Sequence, residues 1–265
     1  QTMPLESLRP LTDKTLSFGL LNDVEQWTLL DPVYKAYTKD LCGYAERGEK
    51  EWKRLLGSFF AEGVNIAVVK NDEGQIEGYA VYRLGAPEIP VTEFVYTTRR
   101  AQRGLLNYFY NHRSQGESIR WNEGLHDTGY RFVPDGKTGH TTMPYMMARI
   151  VDVETALTTV PVNPEAVMMP ITLNIKVTDT LCDWNNGVFA LTLGESTLPN
   201  VKRVSAESVD EIDITIDIGG LTVLLMGAVS AKDLVFEGKL QGESHWIDYL
   251  DMVYPKENTY INEWW

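Results

Sequence analysis

A hairpin pattern near residue 70 is the feature of this sequence that most constrains its fold. Residues 64–70 form an apolar run, residues 71–74 have the composition of a tight turn, and residues 77–84 alternate around Tyr79, Val81 and Arg83. This order predicts two antiparallel strands joined by a hairpin. Residues 91–97 are rich in β-branched and aromatic side chains, and they predict a further strand, as do residues 118–121.

Helical patterns flank these strands. Asp31 and Pro32 are typical of a helix start, because the carboxylate can cap free N–H groups and proline lacks a donor that is not needed there. Apolar residues at helical spacing predict further helices at residues 49–60 and 99–111. Residues 1–14 contain two prolines and little periodicity, and they are interpreted as a linker.

From residue 143 the pattern changes to strands followed by helices. A short helix is predicted at residues 153–158, then strands at residues 171–178, 187–193 and 212–217, and finally helices at residues 219–226, 231–236 and 244–252. A length of 265 residues suits two domains of ordinary size. The sequence therefore predicts an α+β protein with domains at residues 1–142 and 143–265.

The formal net charge of −13 limits the partners of the chain. A field of this sign repels phosphate backbones, so nucleic acid is not an expected partner, whereas a cationic small molecule would be attracted. Solubility alone is the other explanation for such a charge. Cys42 and Cys182 lie far apart without CxxC spacing, so neither a metal site nor a disulfide framework is expected. Because no signal-peptide pattern and no apolar run of about 18 residues is found, a cytoplasmic protein without a membrane partner is predicted.

The order of elements in the first half resembles the GNAT superfamily of N-acetyltransferases. In active members, backbone N–H groups at the junction between the fourth strand and the next helix bind the pyrophosphate of acetyl-CoA, and glycines allow the close approach. The matching run here is Ala101-Gln102-Arg103-Gly104-Leu105-Leu106, which keeps only Gly104 of the glycine-rich pattern. Leu106 is expected to crowd the phosphates, although the nearby arginines could still attract them. The resemblance therefore implies a GNAT-like domain without a functional acetyl-CoA loop.

The second half is similar to the sterol carrier protein type 2 fold. Residues 218–227 form the apolar segment that would cover the sheet as a helix. Its apolar stripe could line a lipid tunnel, or it could fill a core. A non-catalytic carrier of lipid or another hydrophobic ligand is therefore an alternative function, and an assembly scaffold is a third. Large side chains such as Phe189, Leu224 and Met226 would argue against a tunnel.

The combination of both halves resembles the enhanced intracellular survival acetyltransferases. Their shared features here are the stretch Met143-Pro144-Tyr145-Met146-Met147-Ala148-Arg149-Ile150-Val151-Asp152 and the tail Asn262-Glu263-Trp264-Trp265. The resemblance implies a longer protein whose N-terminal GNAT domain binds acetyl-CoA and is absent from this chain. It also implies acetyl transfer to aminoglycosides or other polycationic amines, and a homo-oligomer that is hexameric in some members.

The same resemblance implies a role for the chain terminus. The α-carboxylate of Trp265 would be the base that accepts a proton from the amine. Glu263 would attract the cationic amine, and Trp264 or Trp265 could stack on it by a cation–π contact. A packed hydrophobic anchor is the alternative role for the two tryptophans. No residue of this chain is assigned to the cofactor or to a metal.

Overall fold

The computed structural model describes residues 1–127, 138–143, 146–194 and 196–263. The chain divides into two compact units, the first formed by Gln1–Pro144 with Tyr260–Trp265 and the second by Tyr145–Thr259. The boundary expected after residue 142 falls two residues before this division. The C-terminal segment, which was predicted with the second domain, groups with the first unit instead.

The first unit is built on a six-stranded sheet with helices on both faces. The sheet order is β1-β6-β5-β4-β3-β2, and all neighbours are antiparallel except β5 and β6, which are parallel. The elements found among the described residues are β1 (Thr2–Pro4), β2 (Ser17–Leu21), α1 (Trp27–Thr38), α2 (Glu49–Ala61), β3 (Asn65–Lys70), β4 (Ile76–Tyr82), β5 (Glu88–Tyr96), α3 (Arg99–Tyr110) and β6 (Ser118–Trp121). The predicted hairpin is confirmed as β3 and β4.

The apolar runs of β3 and β4 arise because both faces of the sheet are covered. Ile66 and Val68 point to the core that α1 and α2 share, whereas Ala67 and Val69 point to the core under α3. Side chains alternate between the two faces of a strand, so a strand covered on both sides is apolar throughout. This explains why the hairpin is easy to find in the sequence.

Residues 1–14 do not form the predicted linker. Thr2–Pro4 is the edge strand β1 and pairs with β6, and Leu5 and Leu8 are buried in the 3-10 helix Leu5–Leu11 that follows. Proline is tolerated in an edge strand because no neighbouring strand requires its missing N–H. The two prolines therefore do not prevent this segment from joining the core.

The first helix begins one turn earlier than predicted. Asp23 caps the 3-10 helix Val24–Gln26, and the side-chain oxygen Oε1 of Gln26 accepts a hydrogen bond from the backbone N–H of Asp23 at 3.1 Å. This capping box continues directly into α1, so Pro32 lies inside the helix on its exposed side. Asp31 does not cap a helix but accepts a hydrogen bond from Trp52 Nε1 at 3.0 Å.

The second unit is a five-stranded sheet covered by helices. The sheet order is β11-β10-β7-β8-β9, with only β10 and β7 parallel. Its elements among the described residues are α4 (Val153–Thr159), β7 (Ile171–Thr178), β8 (Gly187–Leu193), β9 (Asn200–Val204), β10 (Ile214–Asp217), α5 (Ile218–Leu225), α6 (Ala231–Phe236), β11 (Leu240–Gly242) and α7 (Ser244–Val253). Strands β9 and β11 were not predicted, whereas the other elements were.

The stretch that ends at Asp152 has a structural role at the start of the second unit. Arg149 donates to both carboxylate oxygens of Asp179, at 2.6 and 2.7 Å, and Asp152 caps α4. Burial alone would raise the pKa of Asp179, but hydrogen bonds from Asn185, from two backbone N–H groups and from Arg149 lower it below its usual range. The stretch therefore organises the loop between β7 and β8 and the first helix of the unit.

No helix in the described parts of the chain has both the length and the apolar character needed to cross a bilayer. In the same parts, no group of three or more His, Cys, Asp or Glu side chains is arranged to hold a metal ion.

Gly104 is required for packing, and its substitution tests this assignment. A Cβ at this position would lie 2.7 Å from Leu16 Cδ1, and Leu16 is buried. We expect Gly104→Ala to lower the free energy of unfolding by about 1–3 kcal/mol through overpacking, as measured by urea denaturation. Gly57, inside α2, has nothing within 4 Å of an added Cβ. Gly57→Ala should therefore stabilise by about 0.5–1 kcal/mol, and equal effects at both sites would contradict the packing role.

Candidate functional site

A buried ion cluster joins the body of the first unit to the C-terminal segment. Arg47 Nη2 lies 2.6 Å from Glu93 Oε1, and Arg47 Nε donates to Glu263 Oε1 at 2.7 Å. The three side chains are 3%, 4% and 9% exposed for Arg47, Glu93 and Glu263, respectively. One guanidinium therefore meets two carboxylates, and the cluster carries one excess negative charge when all three groups are ionised.

Aromatic side chains hold Arg47 in place. Its guanidinium carbon lies 4.2 Å from the ring centroid of Tyr34 and 4.8 Å from that of Trp52, both in cation–π geometry. Tyr79 donates its hydroxyl proton to Glu93 Oε2 at 2.8 Å. Burial by itself would lower the pKa of Arg47, but the charge of Glu93, the hydrogen bond to it and the nearby Tyr79 and Tyr34 together raise it. The guanidinium is therefore charged at every physiological pH.

Besides this ion pair, the C-terminal segment contacts the body of the first unit at Tyr37, Cys42 and Thr92. The backbone N–H of Tyr260 donates to the carbonyl oxygen of Cys42 at 2.9 Å, and the Tyr260 ring packs on Tyr37 with centroids 5.5 Å apart. Asn262 Nδ2 donates to the carbonyl oxygen of Thr92 at 2.7 Å. Together with Glu263, these residues fix the course of the segment up to its last described residue.

The bond to Asn262 falls at an irregularity of β5. Val91 pairs with Tyr82 and Glu93 with Val81, so Thr92 is an extra residue on this strand. Such a bulge bends the strand and leaves the extra residue out of the regular ladder. The Thr92 carbonyl oxygen accordingly accepts its bond from the C-terminal segment.

The structure describes only part of the site that the resemblance predicts. Glu263 is buried in the ion cluster with Arg47, and Trp264 and Trp265 lie outside the described residues. Arg47 was missed as a site residue because it lies in a run of charged residues, a pattern that is typical of an exposed segment. Its long-range partner is 216 positions away, so no local signal could have identified it.

The junction between β5 and α3, where the resemblance places the acetyl-CoA pyrophosphate, does not fit that group. Asp127 lies at this junction and accepts hydrogen bonds from the Tyr96 hydroxyl and from Gln102 Nε2, the latter at 3.2 Å. Gln102 and Asp127 are both buried. The N-terminus of α3 is capped from within, because Thr98 Oγ1 accepts from the backbone N–H of Ala101 at 3.0 Å. A buried carboxylate at this point would repel phosphate.

The residues of the altered loop have other tasks. Leu106, expected to crowd the phosphates, is buried in the core between α3 and the sheet. Arg99 donates to the side chain of Gln102, and Arg100 contacts Thr15 and Asp72. The altered loop is therefore a packed helix whose nearby arginines bind groups of the chain itself.

Large side chains occupy the described core of the second unit. Leu221 and Leu224 of α5 pack with Phe189 of β8, and all three are buried. This arrangement matches the core-filling role that was predicted as the alternative to a lipid tunnel.

Comparisons with known proteins divide the chain in the same order. An acetyltransferase (GNAT) domain family matches residues 43–150, and a sterol carrier protein domain family matches residues 153–262. No curated protein matches the sequence significantly.

Solved structures resemble the whole chain. A probable N-acyltransferase of unknown function from Enterococcus faecalis is 23% identical with a TM-score of 0.86, and a GCN5-related N-acetyltransferase from Anabaena variabilis is 18% identical with a TM-score of 0.81. Eis1 from Mycobacterium abscessus is 20% identical with a TM-score of 0.66. All three cover 100% of this chain, which spans 65%, 66% and 66% of their respective lengths. At these identities the likeness establishes the fold.

The charge balance of the ion cluster can be tested by removing its cation. Arg47→Met removes the cation that faces the two buried carboxylates of Glu93 and Glu263, so we expect the free energy of unfolding to fall by about 3–5 kcal/mol in urea denaturation. Arg120→Met is the control, because the exposed pair of Arg120 and Glu88 contributes less than about 1 kcal/mol.

Combining Arg47→Met with Glu93→Gln and Glu263→Gln should recover much of this loss. A triple variant as unstable as Arg47→Met alone would show that packing around Arg47, rather than charge, is what stabilises the site.

The fold, the two family matches and the structural neighbours agree on the organisation that was predicted from the sequence. The chain folds as a GNAT-like domain followed by a sterol carrier protein type 2-like domain.

Proposed function

We propose that this chain is the part of an N-acetyltransferase of the enhanced intracellular survival type that does not bind the cofactor. The whole enzyme would transfer an acetyl group from acetyl-CoA to a cationic amine. The observation that carries this proposal is the anchoring of the C-terminal segment by Arg47 and Thr92. A buried ion pair and a hydrogen bond thus fix the segment that leads to the terminal carboxylate. Such a fixed position is what a catalytic group at the C-terminus would need.

In this proposal, acetyl-CoA binds to an N-terminal GNAT domain outside residues 1–265. The buried carboxylate of Asp127 at the β5–α3 junction supports the assignment of the cofactor to another domain. The chain spans about two-thirds of the length of the solved structures that it resembles, and this leaves room for such a domain in proteins of that length.

The α-carboxylate of Trp265 is the proposed base. It would accept the proton that the amine loses as it is acetylated, with the CoA thiol as the leaving group. Acetyl-CoA supplies the activated acyl group. Because two residues span at most about 7 Å, the anchored Glu263 restricts where this carboxylate can lie.

An α-carboxyl group ordinarily has a pKa of about 3.3–3.7, which is too low for an efficient base at neutral pH. Burial or a shuttling water would therefore be needed to make this carboxylate effective. The excess negative charge of Arg47, Glu93 and Glu263 would attract a cationic amine. Trp264 would stack on the amine by a cation–π contact.

The remaining properties follow from the same proposal. The acceptor is a polycationic amine, which suits the net charge of −13. The protein would act in the cytoplasm as a homo-oligomer, a hexamer by resemblance, without nucleic acid or membrane partners. The large side chains that fill the described core of the second unit do not favour the alternative of a lipid carrier. The alternative of an assembly scaffold would be weakened by a monomer in a size measurement.

Titration of the chain with acetyl-CoA by calorimetry tests the cofactor assignment. We expect no saturable heat at concentrations that would detect millimolar binding, because Asp127 and the packed helix leave no phosphate site at the junction. Saturable one-to-one binding would overturn the proposal and make this chain a complete enzyme.

The role of the terminal carboxylate can be tested in the longer enzyme. One glycine added after Trp265 moves the carboxylate by about 3.5 Å without changing a side chain. We expect kcat for acetylation of an aminoglycoside to fall by roughly 100- to 10,000-fold, measured as release of the CoA thiol. Trp265→Phe keeps the carboxylate in place and should retain most of kcat. If both variants are equally active, the carboxylate is not the base.

A further inference from the structure

A second buried group of polar side chains lies after β6. The carboxyl group of Glu123 is 6% exposed, and its Oε2 accepts a hydrogen bond from Trp121 Nε1 at 3.0 Å. Its Oε1 is buried without a hydrogen-bond partner among the described residues, and the ring nitrogen Nδ1 of His140 is 3.8 Å away. The neighbouring carboxyl group of Asp127 is close enough to form a hydrogen bond with Glu123.

The arrangement of these two carboxyl groups requires a proton. Asp127 already accepts hydrogen bonds from Tyr96 and Gln102. Two carboxylates in contact in a buried site cannot both be ionised at low cost, whereas one shared proton gives each a partner. Protonated Glu123 can donate to Asp127, and this bond also accounts for its otherwise unpartnered oxygen.

The segment that carries this pair packs against the C-terminal segment. A Cβ at Gly124 would lie 3.3 Å from Tyr260 Cδ2, so the two chains are in close contact there. The ring of His126 lies 6.5 Å from that of Tyr260 and 6.0 Å from that of Tyr37. Tyr37 in turn packs on Tyr260 and on Tyr96. A shift of residues 123–127 would therefore change the packing of the Tyr260 side chain.

We propose that Glu123 and Asp127 share one proton, and that this proton keeps residues 123–127 packed against Tyr260. Loss of the proton leaves two facing carboxylates, which separate and loosen the C-terminal segment. The packing of the C-terminal segment at Tyr260 is thus controlled by pH.

The surrounding groups set the pH at which this happens. Burial, followed by the charge of Asp127, raises the pKa of Glu123 from its ordinary 4.5 to about 7. Burial lowers the pKa of His126, and it raises those of Tyr37 and Tyr96, so these three groups are neutral near pH 7. The other groups that face the pair are His140 and, through Gln102, the guanidinium of Arg99. The α-amino group of Gln1 also interacts electrostatically with Glu123.

The sign of the effect follows from the raised pKa. The folded protein binds the proton more tightly than the unfolded chain does. The stabilisation is therefore complete below about pH 4.5 and is lost as the pH rises through about 7.

Hydrogen–deuterium exchange of the chain, read by mass spectrometry on the peptide that contains Tyr260–Glu263, tests this inference. After correction for intrinsic exchange, we expect opening of this peptide to increase by about tenfold from pH 6 to pH 8. Glu123→Gln can donate to Asp127 but cannot ionise, so its exchange should not respond to pH. Glu117→Gln removes the same charge from an exposed site nearby and should behave as the unmodified protein does.

The inference is overturned if Glu123→Gln keeps the pH response, or if the C-terminal peptide of the unmodified protein does not respond. Asp127→Asn is a second variant, in case the first does not fold. It removes the facing carboxylate, and the pH response should move to lower pH; an unchanged midpoint near pH 7 would also overturn the inference. The experiment requires no enzymatic activity, so its outcome is independent of the proposed acetyl transfer.

Discussion

The guanidinium of Arg47 is the charge on which the first unit depends. Transfer of an ion from water to a protein interior costs several kcal/mol even after relaxation, and the two carboxylates are as buried as the arginine. Close ion pairs, the hydroxyl of Tyr79 and two aromatic faces offset this cost. As a result, α1, α2, β4, β5 and the C-terminal segment all meet at one cation. Their mutual positions are specified by a group that none of them could bury alone.

The sequence predicted the interior of both sheets better than their edges. Strands β3, β4, β7 and β8 carry apolar or strictly alternating patterns because neighbours and helices cover them. Strands β1, β9 and β11, which were missed, are edge strands of three to five residues. An edge strand needs little apolar surface, so its composition is close to that of a loop. The early start of α1 was missed for another reason: the capping box at Asp23 is a stronger start signal than the proline nine positions later.

The candidate site was only partly within reach of sequence reasoning. The resemblance predicted roles for Glu263 and for the two tryptophans after it. The residues that contact this tail, however, are determined by the tertiary structure. Arg47 and Glu93 are separated from each other by 46 positions, and Asn262 is 170 positions from Thr92. A pairing over such distances leaves no periodic pattern. The carboxylate of Asp127 at the β5–α3 junction was unforeseen for the same reason, because its contact with Tyr96 spans 31 positions.

The grouping of the chain end with the first unit makes the second unit an insertion. The chain leaves the first unit after Pro144, builds the second unit from Tyr145 to Thr259, and returns for its last residues. During synthesis, Glu263 leaves the ribosome only after the whole inserted unit. Until then, Arg47 pairs with Glu93 alone. Closing so long a loop has an entropic cost, which is met when Glu263 binds Arg47. The cluster of Arg47, Glu93 and Glu263 can therefore be complete only after both units have been synthesised.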